Sequence, residues 1–249
     1  MYRCPTNVDT GGPQANYALG STDAEHERLI RQAALLASCT ERFFREAGIA
    51  SGQRVLDIGS GVGDVAMLVG QLVGPSGEVV GIERDPRSVA RARARVADAR
   101  LSHVTFIECD ASQVQCAQPF DAVVGRFILQ FLPDPLSVVR RLGQVVRPGG
   151  ILAFQEVSYT PFLALSARLP LWSALDGEPG LLGSDPGFTR WIYDLLCSLR
   201  PQIHEHGACL EPLGDFNTLP QRLQVEVATA HTVVPFVALV GAWSRRPSV

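Results

Sequence analysis

Residues 54–64 read Arg54-Val55-Leu56-Asp57-Ile58-Gly59-Ser60-Gly61-Val62-Gly63-Asp64, and this stretch decides how the chain folds. The apolar run Val55 to Ile58 predicts a short strand. It empties into glycines at alternate positions, which let the backbone turn sharply and bring its amides close to a ligand. A helix opens there and runs through Val65 to Val73. A strand, a glycine turn and a helix in succession start a crossover that returns the chain parallel to itself.

The rhythm continues toward the C-terminus. Gly74-Pro75-Ser76-Gly77 is a turn, and Glu78 to Ile82 predicts a second strand ending at Glu83. Asp85-Pro86 then supplies an N-cap and a proline at the first helical position, with Val89, Ala92 and Val96 facing inward and Arg87, Arg91 and Arg95 outward. Val104 to Ile107 predicts a third strand running into Glu108-Cys109-Asp110, and Asp121 to Gly125 a fourth. Asp134-Pro135 repeats the capping device. Leu136, Val139, Leu142 and Val146 recur at helical spacing as far as Pro148-Gly149-Gly150, and Ile151 to Phe154 predicts a fifth strand. Strands separated by helices of this length imply a doubly wound parallel sheet.

The flanks differ from this core. Residues 1–20 are polar and read as an irregular arm. Thr22 with Glu25 fits a capping box for an amphipathic helix through Leu29, Ile30, Ala33, Leu36 and Ala37 to Gly48, continuous or broken near Ser38. From about Ser158 to Thr218, scattered prolines and aromatic residues predict an inserted helical cap. Leu223 to Ala230 and Phe236 to Ser244 predict a terminal antiparallel pair of strands.

Composition excludes several classes. The 249 residues are 46% hydrophobic, enough for a substantial core in one domain. The 25 acidic and 22 basic residues leave a net charge of −3, without the basic excess that nucleic-acid binding usually requires. The six cysteines form no C-x-x-C pair and have no histidine at zinc-ligand spacing, so no metal is expected. No signal-peptide pattern or apolar run long enough to span a bilayer is present, which predicts a cytoplasmic protein without a membrane partner.

The glycine spacing narrows the ligand. A dinucleotide fingerprint, G-x-G-x-x-G, would place a third glycine where this chain has Asp64. A carboxylate there, with Asp57 upstream, suits a cofactor without phosphate and disfavours a nicotinamide-dependent oxidoreductase. Glu83 at the tip of the second strand can accept hydrogen bonds from both hydroxyls of a ribose, and Asp110 at the third can accept from an adenine amino group.

Through Val55 to Gly63, Gly81-Ile82-Glu83 and Glu108-Cys109-Asp110-Ala111, the sequence resembles the class I S-adenosylmethionine-dependent methyltransferases. Phe120 to Val124, Leu132-Pro133-Asp134-Pro135 and Leu142 to Gly150 extend the likeness over residues 50–157. The resemblance implies a Rossmann-like α/β fold: a seven-stranded sheet, mostly parallel with a reversed last strand, plus an N-terminal helical lid and a helical insertion. It divides a single methyltransferase domain into an arm and lid (1–49), a cofactor-binding core (50–157), a cap over the acceptor site (158–217) and final strands (218–249). It also implies S-adenosylmethionine as cofactor and S-adenosylhomocysteine as product. The implied cofactor residues are Gly59, Ser60, Gly61 and Gly63 with Asp57, then Glu83 with Arg84, and Asp110 with the Ala111 amide; Tyr17 and Gln32 come from the lid segment.

Arg126, Phe127 and Gln130 follow the fourth strand, where donor and acceptor meet in that family, with Arg126 and Gln130 expected to touch the cofactor and Phe127 the acceptor. Arg126 either binds the methionine carboxylate or pairs with a surface acid. Gln155 and Glu156 end the fifth strand, and Tyr159, Trp172 and Trp191 offer an aromatic acceptor surface. His26 and Glu156 are the candidate general bases, needed for an alcohol or phenol acceptor but not for an unprotonated amine. The expected activity is methylation of a small organic molecule, oxygen preferred over nitrogen or carbon, in secondary metabolism, by a monomer or homodimer. A protein that binds the cofactor without methyl turnover is the alternative.

Overall fold

The computed structural model describes residues 20–158, 186–205, 213–230 and 238–248. The chain forms two compact units. One comprises Ala33–Glu156 with 240–248; the other comprises 20–32 with the described parts of Val157–Leu239.

The first unit is built on a six-stranded sheet in the order β3-β2-β1-β4-β5-β6. Its strands are β1 (Arg54–Ile58), β2 (Glu78–Glu83), β3 (Val104–Glu108), β4 (Phe120–Arg126), β5 (Val146–Ser158) and β6 (Ala238–Arg245). β1 to β5 pair in parallel. β6 is the reversed strand, and beside it Gly149 N–H donates to Arg246 O and Arg246 N–H to Gly150 O.

Strand pleating sorts each strand between two cores. Val55, Val79, Val104, Ala122 and Val124 join one core with α2 (Asp64–Val73), α3 (Pro86–Asp98) and Phe44 and Ala47 of α1 (Asp23–Ala47). Leu56, Ile58, Val80, Ile82 and Val123 join the other with α4 (Pro135–Val145). Helices on both faces therefore cover the sheet. Chain order reverses between β1 and β4, which puts a crevice at their carboxyl ends. Register aligns Asp57 with Gly81, Glu83 with Glu108, and Arg126 with Gln155, so the predicted site residues gather at one sheet edge.

The local signals act as chemistry requires. Asp85 Oδ2 accepts from Ser88 N–H at 2.7 Å and Asp134 Oδ1 from Ser137 N–H at 3.0 Å, each before a proline in the first turn. α1 is one unbroken helix through Ser38. Thr22 Oγ1 accepts from Glu25 N–H at 3.2 Å, but the Glu25 side chain pairs with Arg28 instead of closing the capping box.

Three expectations are corrected. Leu223 to Ala230 is not a strand: it lies in the last helix, α6 (Leu219–Ala230), which follows α5 (Pro186–Glu205). The alternation Leu223-Gln224-Val225-Glu226-Val227 imitates a strand, yet Val225, on the face that a strand would bury, is 63% exposed. A 3₁₀ turn capped by Asp215, with Pro220 just inside the helix, marks the start. The seventh strand is accordingly missing among the described residues. In α4 the buried stripe is Val138, Leu142 and Val145; Leu136 is 57% exposed, and Val146 has left the helix to pair with Phe120 in the sheet.

Leu142→Ala is expected to lower stability by about 2 to 5 kcal/mol in urea unfolding, and Leu136→Ala to stay within about 0.5 kcal/mol. Equal losses would contradict the assigned stripe.

Candidate functional site

The glycine turn between β1 and α2 is left-handed at Gly59 (φ 61°), Gly61 (φ 51°) and Gly63 (φ 91°). A Cβ on Gly59 would stand 2.4 Å from Ile128 Cδ1, so packing as well as conformation demands glycine there. A Cβ on Gly61 would meet nothing within 4 Å among the described residues. The middle of the turn is therefore open to a ligand at backbone range. Around it the backbone is tied down: Ser60 N–H donates to Ile82 O, Gly63 N–H to Ser60 O, and Gly61 N–H to Glu83 Oε2.

Acidic groups surround this turn. Asp57 is 1% exposed and accepts from the Ala66 amide, while its Oδ2 has no partner among the described residues; nor has the buried Ser60 Oγ. Burial pushes the Asp57 carboxyl well above the usual range, only partly offset by the nearby Arg126 guanidinium. Asp64 is also raised by burial, against its ion pair with Arg95 at 2.7 Å. Arg95 donates to Val62 O at 2.6 Å as well, so the arginine expected to point outward instead braces the turn.

At the neighbouring tips, Glu83 Oε1 accepts from the Arg84 and Asp85 amides. Asp110 Oδ1 accepts from the Ser112 amide and hydroxyl, leaving Oδ2 outside those bonds, and Ala111 beside it is buried. Buried orphan oxygens, an open glycine backbone and consecutive acidic strand tips match the donor-rich chemistry of a nucleoside carrying an amino acid.

Across the switch point, Arg126 makes no ion pair among the described residues. Its Nη1 donates to Thr40 Oγ1 at 3.1 Å, and that hydroxyl donates to Gln155 Oε1 at 2.7 Å. Burial lowers the arginine, opposed by the charges of Asp64 and Asp57. Gln155 is thus buried and engaged on Thr40. Phe127 sits in left-handed backbone (φ 56°), and Gln130 is exposed on the 3₁₀ turn Leu129–Phe131. Glu156 Oε1 accepts from the Ile128 and Leu129 amides, both at 2.9 Å, and its Oε2 is buried without a partner among the described residues.

The second unit holds the remaining described candidates. His26 is buried beside Glu25 and Arg28 on α1, where Arg28 donates two hydrogen bonds to Glu25 and one to Gln32 Oε1. Trp191 Nε1 donates to the same Gln32 oxygen at 3.0 Å, and Ser198 to Glu25 at 2.6 Å. Tyr17, Tyr159 and Trp172 lie outside the described residues.

The residues unanticipated from sequence are Thr40, Arg95 and Ile128. Thr40 had a legible signal, a polar residue on the stripe Ala33, Leu36, Thr40, Phe44 and Ala47 that buries α1. Ile128 had none, because its role arises only when the β4 turn meets the Gly59 turn.

A methyltransferase-domain family matches residues 49–178, just over half of the chain. The chain belongs to the class I S-adenosylmethionine-dependent methyltransferases. A demethylmenaquinone methyltransferase of Halalkalibacterium halodurans is 32% identical over 115 residues, 46% of this chain and 47% of that protein. A ubiquinone/menaquinone biosynthesis C-methyltransferase UbiE of Pseudomonas paraeruginosa is 35% identical over 129 residues, 51% of this chain and 50% of that one. The match thus spans about half the length of these curated relatives. The crystal structure of the 4+2 cyclase SpnF shares the fold at TM-score 0.51 and 22% identity, covering 85% of this chain and 81% of that one.

Because the Asp57 carboxyl is raised by burial, its ionisation opposes folding above the unfolded-state pKa of about 3.9. Asp57→Asn is therefore expected to raise the urea midpoint at pH 7, with the gain vanishing as pH falls below about 4. A gain independent of pH would contradict this.

Proposed function

We propose that this chain transfers a methyl group from S-adenosylmethionine to a small organic molecule. The observation that carries the proposal is the open left-handed turn at Gly61, flanked by Asp57 Oδ2 and Ser60 Oγ, which have no partner among the described residues. The turn Gly59-Ser60-Gly61, with Asp57 and Gly63, would carry the methionine portion. Glu83 with Arg84 would hold the ribose, Asp110 and the Ala111 amide the adenine, and Arg126 the carboxylate. When bound, the cofactor supplies an electrophilic methyl carbon on a sulfonium. The chain's own task is to align donor and acceptor, a contribution of roughly 7 to 11 kcal/mol for well-oriented groups.

We take oxygen as the first acceptor atom to test. Carbon is the rival, because the Pseudomonas paraeruginosa relative is named for C-methylation. The net charge of −3 speaks against nucleic acid. No helix among the described residues is long and apolar enough to cross a membrane. We propose that the protein acts as a monomer or homodimer in the cytoplasm, in secondary metabolism.

Incubation with labelled-methyl S-adenosylmethionine and a panel of phenols, amines and electron-rich aromatic carbons tests this proposal. Label in a phenol ether supports oxygen; label only on ring carbon overturns that preference. Cofactor binding with no labelled product from any acceptor favours binding without turnover. Glu83→Ala is expected to weaken S-adenosylhomocysteine affinity by about 1 to 3 kcal/mol in calorimetric titration. Undiminished affinity would refute the ribose assignment.

A further inference from the structure

The turn after β4 is shaped by β5. Arg126 lies opposite Gln155 in the parallel register, and Phe127 then enters left-handed backbone. Three consecutive amides are thereby aimed at Gln155 and Glu156 of β5. Phe127 N–H donates to Gln155 O at 2.9 Å, and Ile128 N–H and Leu129 N–H both donate to Glu156 Oε1 at 2.9 Å. Successive N–H groups converging on one oxygen form a nest, and here a carboxyl oxygen of the chain itself fills it. The held segment presses the Ile128 side chain against Gly59 and Gly125: ideal Cβ atoms there would lie 2.4 Å from Ile128 Cδ1 and 2.9 Å from Ile128 Cγ2.

We propose that Glu156 is a positioning residue rather than the general base: by holding the Ile128 and Leu129 amides it keeps Ile128 seated on the Gly59 turn, and so keeps that turn shaped for the cofactor. The effect on affinity rests on the cofactor site proposed above; the clamp does not. What the clamp requires of residue 156 is an acceptor oxygen, not a proton-accepting charge. Glutamine supplies that oxygen and alanine does not. Removing it leaves two amides that face the sheet end without their partner, which is the loss that matters energetically.

The test uses Glu156→Gln, Glu156→Ala, Ile128→Ala and the double variant Glu156→Ala/Ile128→Ala, with melting curves as a fold control. S-adenosylhomocysteine is titrated calorimetrically, and backbone hydrogen exchange is followed for the peptide spanning 127–131. Glu156→Ala is expected to weaken binding about tenfold or more, while Glu156→Gln stays within about threefold of wild type. Ile128→Ala is expected to weaken binding too, and the double variant no further than its weaker-binding single parent, because both act through one contact. Exchange at 128–129 should quicken in Glu156→Ala, with or without ligand, and match wild type in Glu156→Gln.

Glutamine as damaging as alanine, multiplicative losses in the double variant, or unchanged exchange in Glu156→Ala would each overturn the proposal. If Glu156→Ala does not fold, Glu156→Gln decides: wild-type exchange and near wild-type affinity support the clamp, and loss of either overturns it. A wild-type protein that shows the exchange pattern but does not bind S-adenosylhomocysteine would refute the cofactor site while leaving the clamp standing.

Discussion

The passage from β1 into α2 is the constraint on which the site depends. The chain must leave a buried strand, reverse, and start a buried helix within a few residues, through left-handed backbone that only glycine adopts freely. Packing then closes in from outside. Ile128 presses on Gly59, and Phe106 would lie 2.8 Å from a Cβ on Gly63, so neither glycine has room for a side chain. Of the three turn glycines, Gly61 is the one with space for a Cβ among the described residues. A turn gripped at both ends, with its central amide on Glu83 Oε2 and no side chain over Gly61 among the described residues, leaves room for a ligand against its backbone.

Charge is distributed around this turn in a way that folding alone does not favour. Asp57 and Asp64 are both raised by burial, and Arg126 is lowered by it, so burial works against the charged form of each. Such perturbed groups concentrate at functional sites, where a ligand supplies the partners that folding withholds. Neighbouring residues spend their hydrogen bonds on geometry. Thr40 joins Arg126 to Gln155, and Arg95 joins α3 to the carbonyl of Val62.

Much of this was legible in the sequence, for identifiable reasons. Strand tips follow from short apolar runs that end in an acid, as at Glu83 and Glu108, and helix starts follow from Asp85-Pro86 and Asp134-Pro135. What escaped was set by tertiary contact or by ambiguous periodicity. The alternation from Leu223 to Val227 suited a strand as well as a helix, and the capped turn at Asp215 decided otherwise. Glu156 read as a candidate base because residue type and strand position are visible in a sequence, whereas the two amides that occupy its oxygen come from a turn 27 and 28 residues away. Thr40, by contrast, was readable as the polar break in the buried stripe of α1.

The most direct examination of the central claim is a crystal structure grown with S-adenosylhomocysteine. The ligand's amino-acid end is expected along Gly59 to Gly61, its ribose hydroxyls on Glu83 and its adenine beside Asp110 and Ala111. Ligand bound elsewhere, or a glycine turn filled by the chain's own side groups at saturating ligand, would contradict it.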